Sequence, residues 1–340
     1  MQKIRIAFAG FRHGHIGDVY RRLQNRPDAE IVAACEEDAA TRAALAAEGR
    51  FAITHESFEA MLSDVPCDAI AVGDYYGRRG RLLIRALESG RHVLSDKPIC
   101  TRLEELDRIA ALAGDGKRSV GCQLDLRDYP ACRAARAAIQ AGEIGEVHAV
   151  SFNGQHALAY GTRPGWYFEP GKHGGTINDI AIHAVNAVPR ITGRRWASVC
   201  AARNWNAALK AVPHFRDAAQ MMLTLDNGAG VLGDVSYLAP NAFGSPIPYY
   251  WRFLFWGGAG LLDIACAGGT AMLYKSGEPA PRPLPLPPAA GGEYLEAFLD
   301  EIRGAAKPGQ LSTREVLDSS RAALLIQRAA DAGQVGLRLS

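Results

Sequence analysis

Three side chains in two distant segments have the types that take a proton from a hydroxyl while hydride leaves the same carbon: Lys97, Asp179 and His183. Lys97 stands in Ser95-Asp96-Lys97-Pro98, directly after the apolar run His92-Val93-Leu94, where a buried strand would end. Pro98 steers the residue before it away from helical geometry, so an extended backbone is expected at Lys97. Asp179 and His183 follow Gly174-Gly175 and are spaced i and i+4, which puts both on one face of a helix. In such a set His183 is the base, since imidazole titrates near neutral pH without a large perturbation. Lys97, as ammonium, would bond the same oxygen and stabilise the negative charge developing on it. Asp179 either orients the substrate hydroxyl or tunes the imidazole, and the sequence leaves both open.

Hydride needs an acceptor that side chains do not supply. The strand-like run Ile4 to Ala9 leads through Gly10, Phe11, Arg12, His13, Gly14 and His15 into a helix beginning at Ile16. Gly10 and Gly14 allow the backbone to approach a pyrophosphate at that helix's N-terminus. Arg12 holds the slot usual for a second glycine, and either contacts the pyrophosphate or partly blocks it. Glu36 closes the next strand about 20 residues beyond the turn, where an acid bonds the adenosine ribose and repels a 2′-phosphate. NAD is therefore expected rather than NADP, a bias that Glu37 and Asp38 strengthen. His13 and His15 have no carboxylate or cysteine beside them in the sequence, so they are read as shaping the loop, with no metal expected.

These residues need elements to hold them. The 340 residues are 48% hydrophobic and 22% charged, enough for two domains, and a net charge of +2 with interspersed signs calls for neither nucleic acid nor a membrane surface. Seven cysteines lie singly without CxxC spacing, and no leader-like apolar stretch follows Met1; a cytoplasmic protein is expected. Strands are expected at Ile4 to Ala9, Ile31 to Cys35, Asp68 to Val72, His92 to Leu94 and Ser119 to Leu124. Helices alternate with them, including Arg81 to Glu88 and one opened by a Thr101–Glu104 capping box. This alternation implies a parallel sheet covered on both faces. After residue 124 come longer strands with few helices between them, and Asp226-Asn227-Gly228 spells a hairpin turn. Pro279 to Pro288 reads as an extended loop, and Ser312–Glu315 as a second capping box. The expected division is an α/β domain over 1–124, then an α+β domain over 125–340 with a large, mostly antiparallel open sheet.

The ordered set Gly10-Phe-Arg-His-Gly14-His, Glu36, Asp96-Lys97-Pro98, Gly142-Glu-Ile-Gly145-Glu-Val147 and Asp179-xxx-His183 resembles the Gfo/Idh/MocA family over nearly the whole chain. The resemblance implies an N-terminal Rossmann domain that binds NAD. It also implies a C-terminal sheet domain that commonly forms the oligomer interface, hence a homodimer or homotetramer. It assigns chemistry on a sugar, sugar acid or cyclic polyol to Lys97, Asp179 and His183, and adds Asp74 to the cofactor contacts. Asp96 stands where the family usually has glutamate, and Asp74-Tyr75-Tyr76-Gly77 where it usually has a proline–asparagine stretch. Candidate substrate contacts lie between residues 127 and 179: Arg127, Trp166 and Lys172 foremost, with His156, Tyr160, Arg163, Tyr167 and His173. Two other readings share the scaffold: an enzyme that retains NAD and uses transient oxidation to cleave a glycosidic bond or epimerise, and a non-catalytic regulator.

Overall fold

The computed structural model describes residues 2–241, 247–289 and 291–339. The chain divides into two units. One comprises Met1–Gln123, Pro164–Gly174 and Gly292–Ser320; the other Leu124–Arg163, Gly175–Gly291 and Arg321–Ser340. The single boundary expected after residue 124 lies within a residue of the first crossing, but the chain then returns to the first unit twice. Side-chain burial accounts for both returns. Trp166 and Tyr167 bury themselves with Tyr76, and Phe298 lies where any side chain at Gly121 would be.

The first unit is a parallel five-stranded sheet in the order β2-β1-β3-β4-β5. Its strands are β1 (Ile4–Ala9), β2 (Ala29–Cys35), β3 (Ala69–Val72), β4 (His92–Ser95) and β5 (Val120–Cys122). β3 is buried at every position and β1 at all but Arg5, as strands covered on both faces must be. The helices α1 (Ile16–Gln24), α2 (Ala39–Glu48), α3 (Phe58–Asp64), α4 (Tyr76–Glu88) and α5 (Leu103–Ala113) alternate with these strands. The strand ends fall within two residues of expectation, while two helix starts differ for a physical reason. α4 begins five residues before Arg81, because Tyr76, Arg79, Gly80, Leu83 and Leu87 recur on one buried face at helical spacing. α5 starts after Arg102 with no side-chain cap, so Thr101 and Glu104 do not form the expected box.

The second unit is built on a nine-stranded sheet in the order β13-β12-β11-β10-β6-β9-β8-β7-β14. Its strands are β6 (Val147–Ala157), β7 (Trp196–Trp205), β8 (Ala218–Leu225), β9 (Gly230–Ala239), β10 (Arg252–Gly257), β11 (Gly260–Ala265), β12 (Thr270–Lys275), β13 (Arg282–Pro283) and β14 (Leu337–Arg338). Every pairing is antiparallel except that of β6 with β9. The expected hairpin joins β8 to β9, with Gly228 at φ +84°. β12 was not anticipated, and β13 falls within the proline-rich stretch. One face of the sheet buries Val150, Phe152, Phe253, Phe255, Leu262 and Leu273. The helices α6 (Pro130–Gln140) and α7 (Ile182–Thr192) pack on this sheet. On the opposite face the strand registers align Met222, Leu232, Ser151, Leu254, Asp263 and Met272 in one row, with Met222 and Leu232 half exposed. The chain ends in α8 (Glu293–Ile302) and α9 (Thr313–Ala332). At the start of α9 the second capping box is formed: the Ser312 amide donates to Glu315 Oε2 (3.0 Å) and the Glu315 amide to Ser312 Oγ (3.3 Å). No helix among the described residues is long and apolar enough to cross a membrane.

Candidate active site

Lys97 and the glycine turn belong to the first unit, Asp179 and His183 to the second. In the first, β1 leaves the sheet at Gly10, whose φ of +80° favours glycine. A Cβ there would lie 2.7 Å from Asp74 Cβ and 2.8 Å from its backbone nitrogen, so the turn after β1 and the loop after β3 touch backbone to backbone. The Gly10 amide donates to the Cys35 carbonyl and that of His13 to Gly73. Gly14 and His15 are exposed beyond this knot, and a Cβ at Gly14 would meet nothing within 4 Å. No side chain caps α1: its N-cap residue, His15, turns Nδ1 to Asp96 Oδ1 (3.3 Å) instead. An open approach to an uncapped helix N-terminus fits the pyrophosphate of a dinucleotide.

The acids around this turn already have protein partners. Glu36, expected to face a ribose, is wholly buried; it accepts from the amides of Phe11 (2.7 Å) and Asp38 (2.8 Å) and holds the glycine turn against β2. Burial raises its carboxyl above the ordinary value, against the pull of those two amides. Arg12 lies among three carboxylates, with Nε 3.6 Å from Glu36 and 3.5 Å from Asp74 and Nη2 3.4 Å from Asp38, and its guanidinium sits 5.2 Å from the centre of the Tyr75 ring. Asp74 also takes the Tyr75 amide and an Arg78 donor. Asp38 caps α2 through the Thr41 amide.

Lys97 is buried at the end of β4, with Nζ 5.6 Å from the centre of the Tyr76 ring, and its peptide bond to Pro98 is cis. Beside it, Asp96 collects His13, His15 and the wholly buried Arg79. Burial opposes the charge on Asp96, but His13 and Arg79 outweigh it and hold the carboxyl well below the usual range. His13 is lowered to about 4, chiefly by burial, so its imidazole is neutral at neutral pH. With Asp96 ionised, His13 donates through Nδ1 and accepts at Nε2 from the Tyr76 hydroxyl (3.1 Å), which in turn accepts from Tyr167 (2.7 Å). Ligand atoms of His13, His15 and Asp96 lie within 4.8 Å of one another, but Arg79 already supplies the positive charge that a cation would bring.

Two expected substrate contacts also sit here. Trp166 is buried and donates Nε1 to the Arg12 carbonyl (3.1 Å), which makes it a support for the turn. Lys172 pairs with Glu169, and its Nζ lies 5.1 Å from the centre of the Tyr75 ring.

In the second unit, Asp179 lies in a π-helical turn, Ile177–Ala181, that runs into α7, where His183 is the second residue. Such turns are uncommon and concentrate at functional sites. Gly175 permits this one: at φ +97°, a Cβ would lie 2.3 Å from the carboxamide of Gln327, whose Oε1 accepts from the amides of Ile177 (2.9 Å) and Asn178 (3.3 Å). Asp179 is buried and accepts a hydrogen bond from the Tyr237 hydroxyl. His183 is partly exposed, its ring 5.7 Å from that of Trp251. Tyr250 lies near Asp179 and Asp125, and burial together with these charges raises its hydroxyl. Arg127 is also buried, with Nε 3.9 Å from Asp128.

Sequence reasoning missed Arg79 and Tyr237. A charged residue on the apolar face of α4 was the available signal for Arg79; nothing local marks Tyr237, which reaches Asp179 only through the register of β9.

A parallel βαβ sheet with a glycine turn, followed by a mostly antiparallel open sheet and a helical segment that carries a buried Asp and a His, defines a two-domain dinucleotide-dependent oxidoreductase. The chain belongs to the GFO/IDH/MocA family: residues 4–123 match its NAD-binding Rossmann oxidoreductase domain and residues 132–263 its C-terminal domain. It is 25% identical to the inositol 2-dehydrogenase of Rhizobium meliloti over 85% of this chain and 84% of that one. It is 30% identical to the 1,5-anhydro-D-fructose reductase of Ensifer adhaerens, a match that spans 45% of this chain and less than half, 46%, of that enzyme. An inositol dehydrogenase homologue from Azotobacter vinelandii, solved with NAD+, has the same fold, with a TM-score of 0.81 at 20% identity over 98% of this chain and 97% of that one.

Proposed function

We propose that this chain oxidises a secondary hydroxyl of a sugar, sugar acid or cyclic polyol, using NAD in preference to NADP. The observation that carries the reading is the placement of Asp179 on a π-helical turn and of His183 in the first turn of the helix it runs into, with Tyr237 fixing the aspartate. NAD, when bound, accepts the hydride. His183 takes the hydroxyl proton; it is the partly exposed member of the pair. Asp179, held by Tyr237, aligns the hydroxyl beside the imidazole. Lys97, at the end of β4, donates to the oxygen as charge builds on it. Gly10, Gly14 and His15 receive the dinucleotide; Arg12, His13, Glu36 and Asp74 shape its turn.

Self-association through the outward face of the large sheet is part of the same proposal, with Met222 and Leu232 at its centre, as a homodimer or homotetramer. So is a cytoplasmic setting, which the seven free cysteines suit. The test is thermal-shift titration with NAD and NADP, then a panel of sugars, inositols and sugar acids read by NADH absorbance. Stabilisation by NAD and NADH formation with a polyol are expected. NADP binding alone would overturn the cofactor preference, and cleavage or epimerisation without NADH release would assign the retained-cofactor chemistry instead.

A further inference from the structure

Arg79 is the largest fully buried side chain among the described residues, and the chemistry above does not use it. A guanidinium keeps its proton in any protein, so burying one is costly unless its N–H groups are met. Here they are met by the short stretch 96–98 and by the loop at Asp74. Nη1 donates to the carbonyls of Asp96 (3.0 Å), Lys97 (2.6 Å) and Pro98 (3.1 Å), Nη2 to the Asp96 carboxylate (3.0 Å), and Nε to the Asp74 carbonyl (2.7 Å). Along an extended strand, successive carbonyls point to opposite sides. Three consecutive carbonyls therefore converge on one nitrogen only if the chain at 96–98 is turned about that nitrogen.

We propose that Arg79 is the positioning residue for Lys97, gathering the backbone on both sides of the lysine and tying it to the loop at Asp74. The guanidinium also sits 4.6 Å from the centre of the Tyr76 ring, the ring that Lys97 Nζ approaches, so backbone and side chain of the lysine are referred to one anchor. The planar fork matters as much as the charge: a lysine at 79 could still pair with Asp96 but offers three donors from a single point. The proposal rests on the assignment of Lys97 to the reaction.

The test compares R79K and R79Q with the unsubstituted full chain, without substrate. Lysines are labelled with 13C, the Lys97 resonance is identified by its loss in K97R, and its shift is followed against pH by NMR. Hydrogen exchange of the peptide covering 94–101 is followed by mass spectrometry. In either folded variant, exchange over 95–99 is expected to quicken about tenfold or more while β1 keeps its protection, and the Lys97 resonance and its titration move. An unmoved Lys97 resonance with unchanged exchange would overturn the proposal, as would loosening spread evenly over the first unit, the mark of a merely structural role. If neither variant folds, native-state exchange of the unsubstituted chain decides: opening of 95–99 independently of the sheet overturns the clamp, and opening only together with the sheet supports it. Full turnover in K97A would sink the catalytic assignment while leaving these readouts intact, so the two failures are distinguishable.

Discussion

Acidification should destabilise the protein chiefly through His13, beginning above the ordinary carboxylate range. Its imidazole is lowered from 6.5 to about 4, first by burial and then by His15 and Arg79, against the pull of Asp96. Protonation would also put a proton on Nε2 where the Tyr76 hydroxyl already donates. Between pH 6.5 and 4 the unfolded chain therefore binds a proton that the native protein refuses, and stability falls as pH falls. At 1.36 kcal/mol per unit, His13 accounts for about 2 kcal/mol lost by pH 5 and about 3 kcal/mol by pH 4. His92, also lowered by burial, adds a loss of the same sign; Asp28, lowered to about 2, acts only at lower pH, and the buried Glu36, whose carboxyl is raised, offsets part of the loss. Urea unfolding at pH 7.5 and pH 5 should show this loss. The H13N variant, whose carboxamide can still donate to Asp96 but does not titrate, should shrink it by about 2 kcal/mol. An equal pH dependence in H13N would refute the reasoning, as would a His13 ring that titrates near 6.5 by NMR in the folded protein.

Once a substrate is found, K97A and H183A should each lower turnover by about 100-fold or more, and wild-type turnover in either would remove that residue from the chemistry. G77A would bring a Cβ to 2.2 Å from the Gly171 carbonyl oxygen, where the Gly77 amide donates to Lys172. It should cost about 1–3 kcal/mol and expose segment 164–174 to limited proteolysis; unchanged stability and cleavage would show that the contact yields without cost. Placing aspartates at Met222 and Leu232 should convert an oligomer into a monomer by light scattering, and a monomeric unsubstituted protein would dismiss that interface.

The sequence by itself determined most of the local grammar. Strand runs, the Gly10 turn, the Gly228 hairpin and the Ser312–Glu315 cap rest on residues a few positions apart, and they formed as spaced. The order Gly10, Glu36, Lys97, Asp179, His183 also sufficed to point to the family that the comparisons establish.

Tertiary structure decided what each polar group faces. Glu36 ends β2, the place for a ribose acceptor, and there one oxygen takes the Phe11 amide across the turn and the other the Asp38 amide of its own loop. Lys172 and Trp166, substrate-contact candidates by residue type and place in the chain, meet Glu169 and the Arg12 carbonyl in a segment that belongs to the first unit. Whether a carboxylate or a guanidinium is committed depends on donors and acceptors brought from tens of residues away, and sequence spacing does not carry that information. Arg79 shows the difference most sharply: it looks like one more arginine in an arginine-rich helix until three carbonyls of a distant strand end are found on its nitrogen.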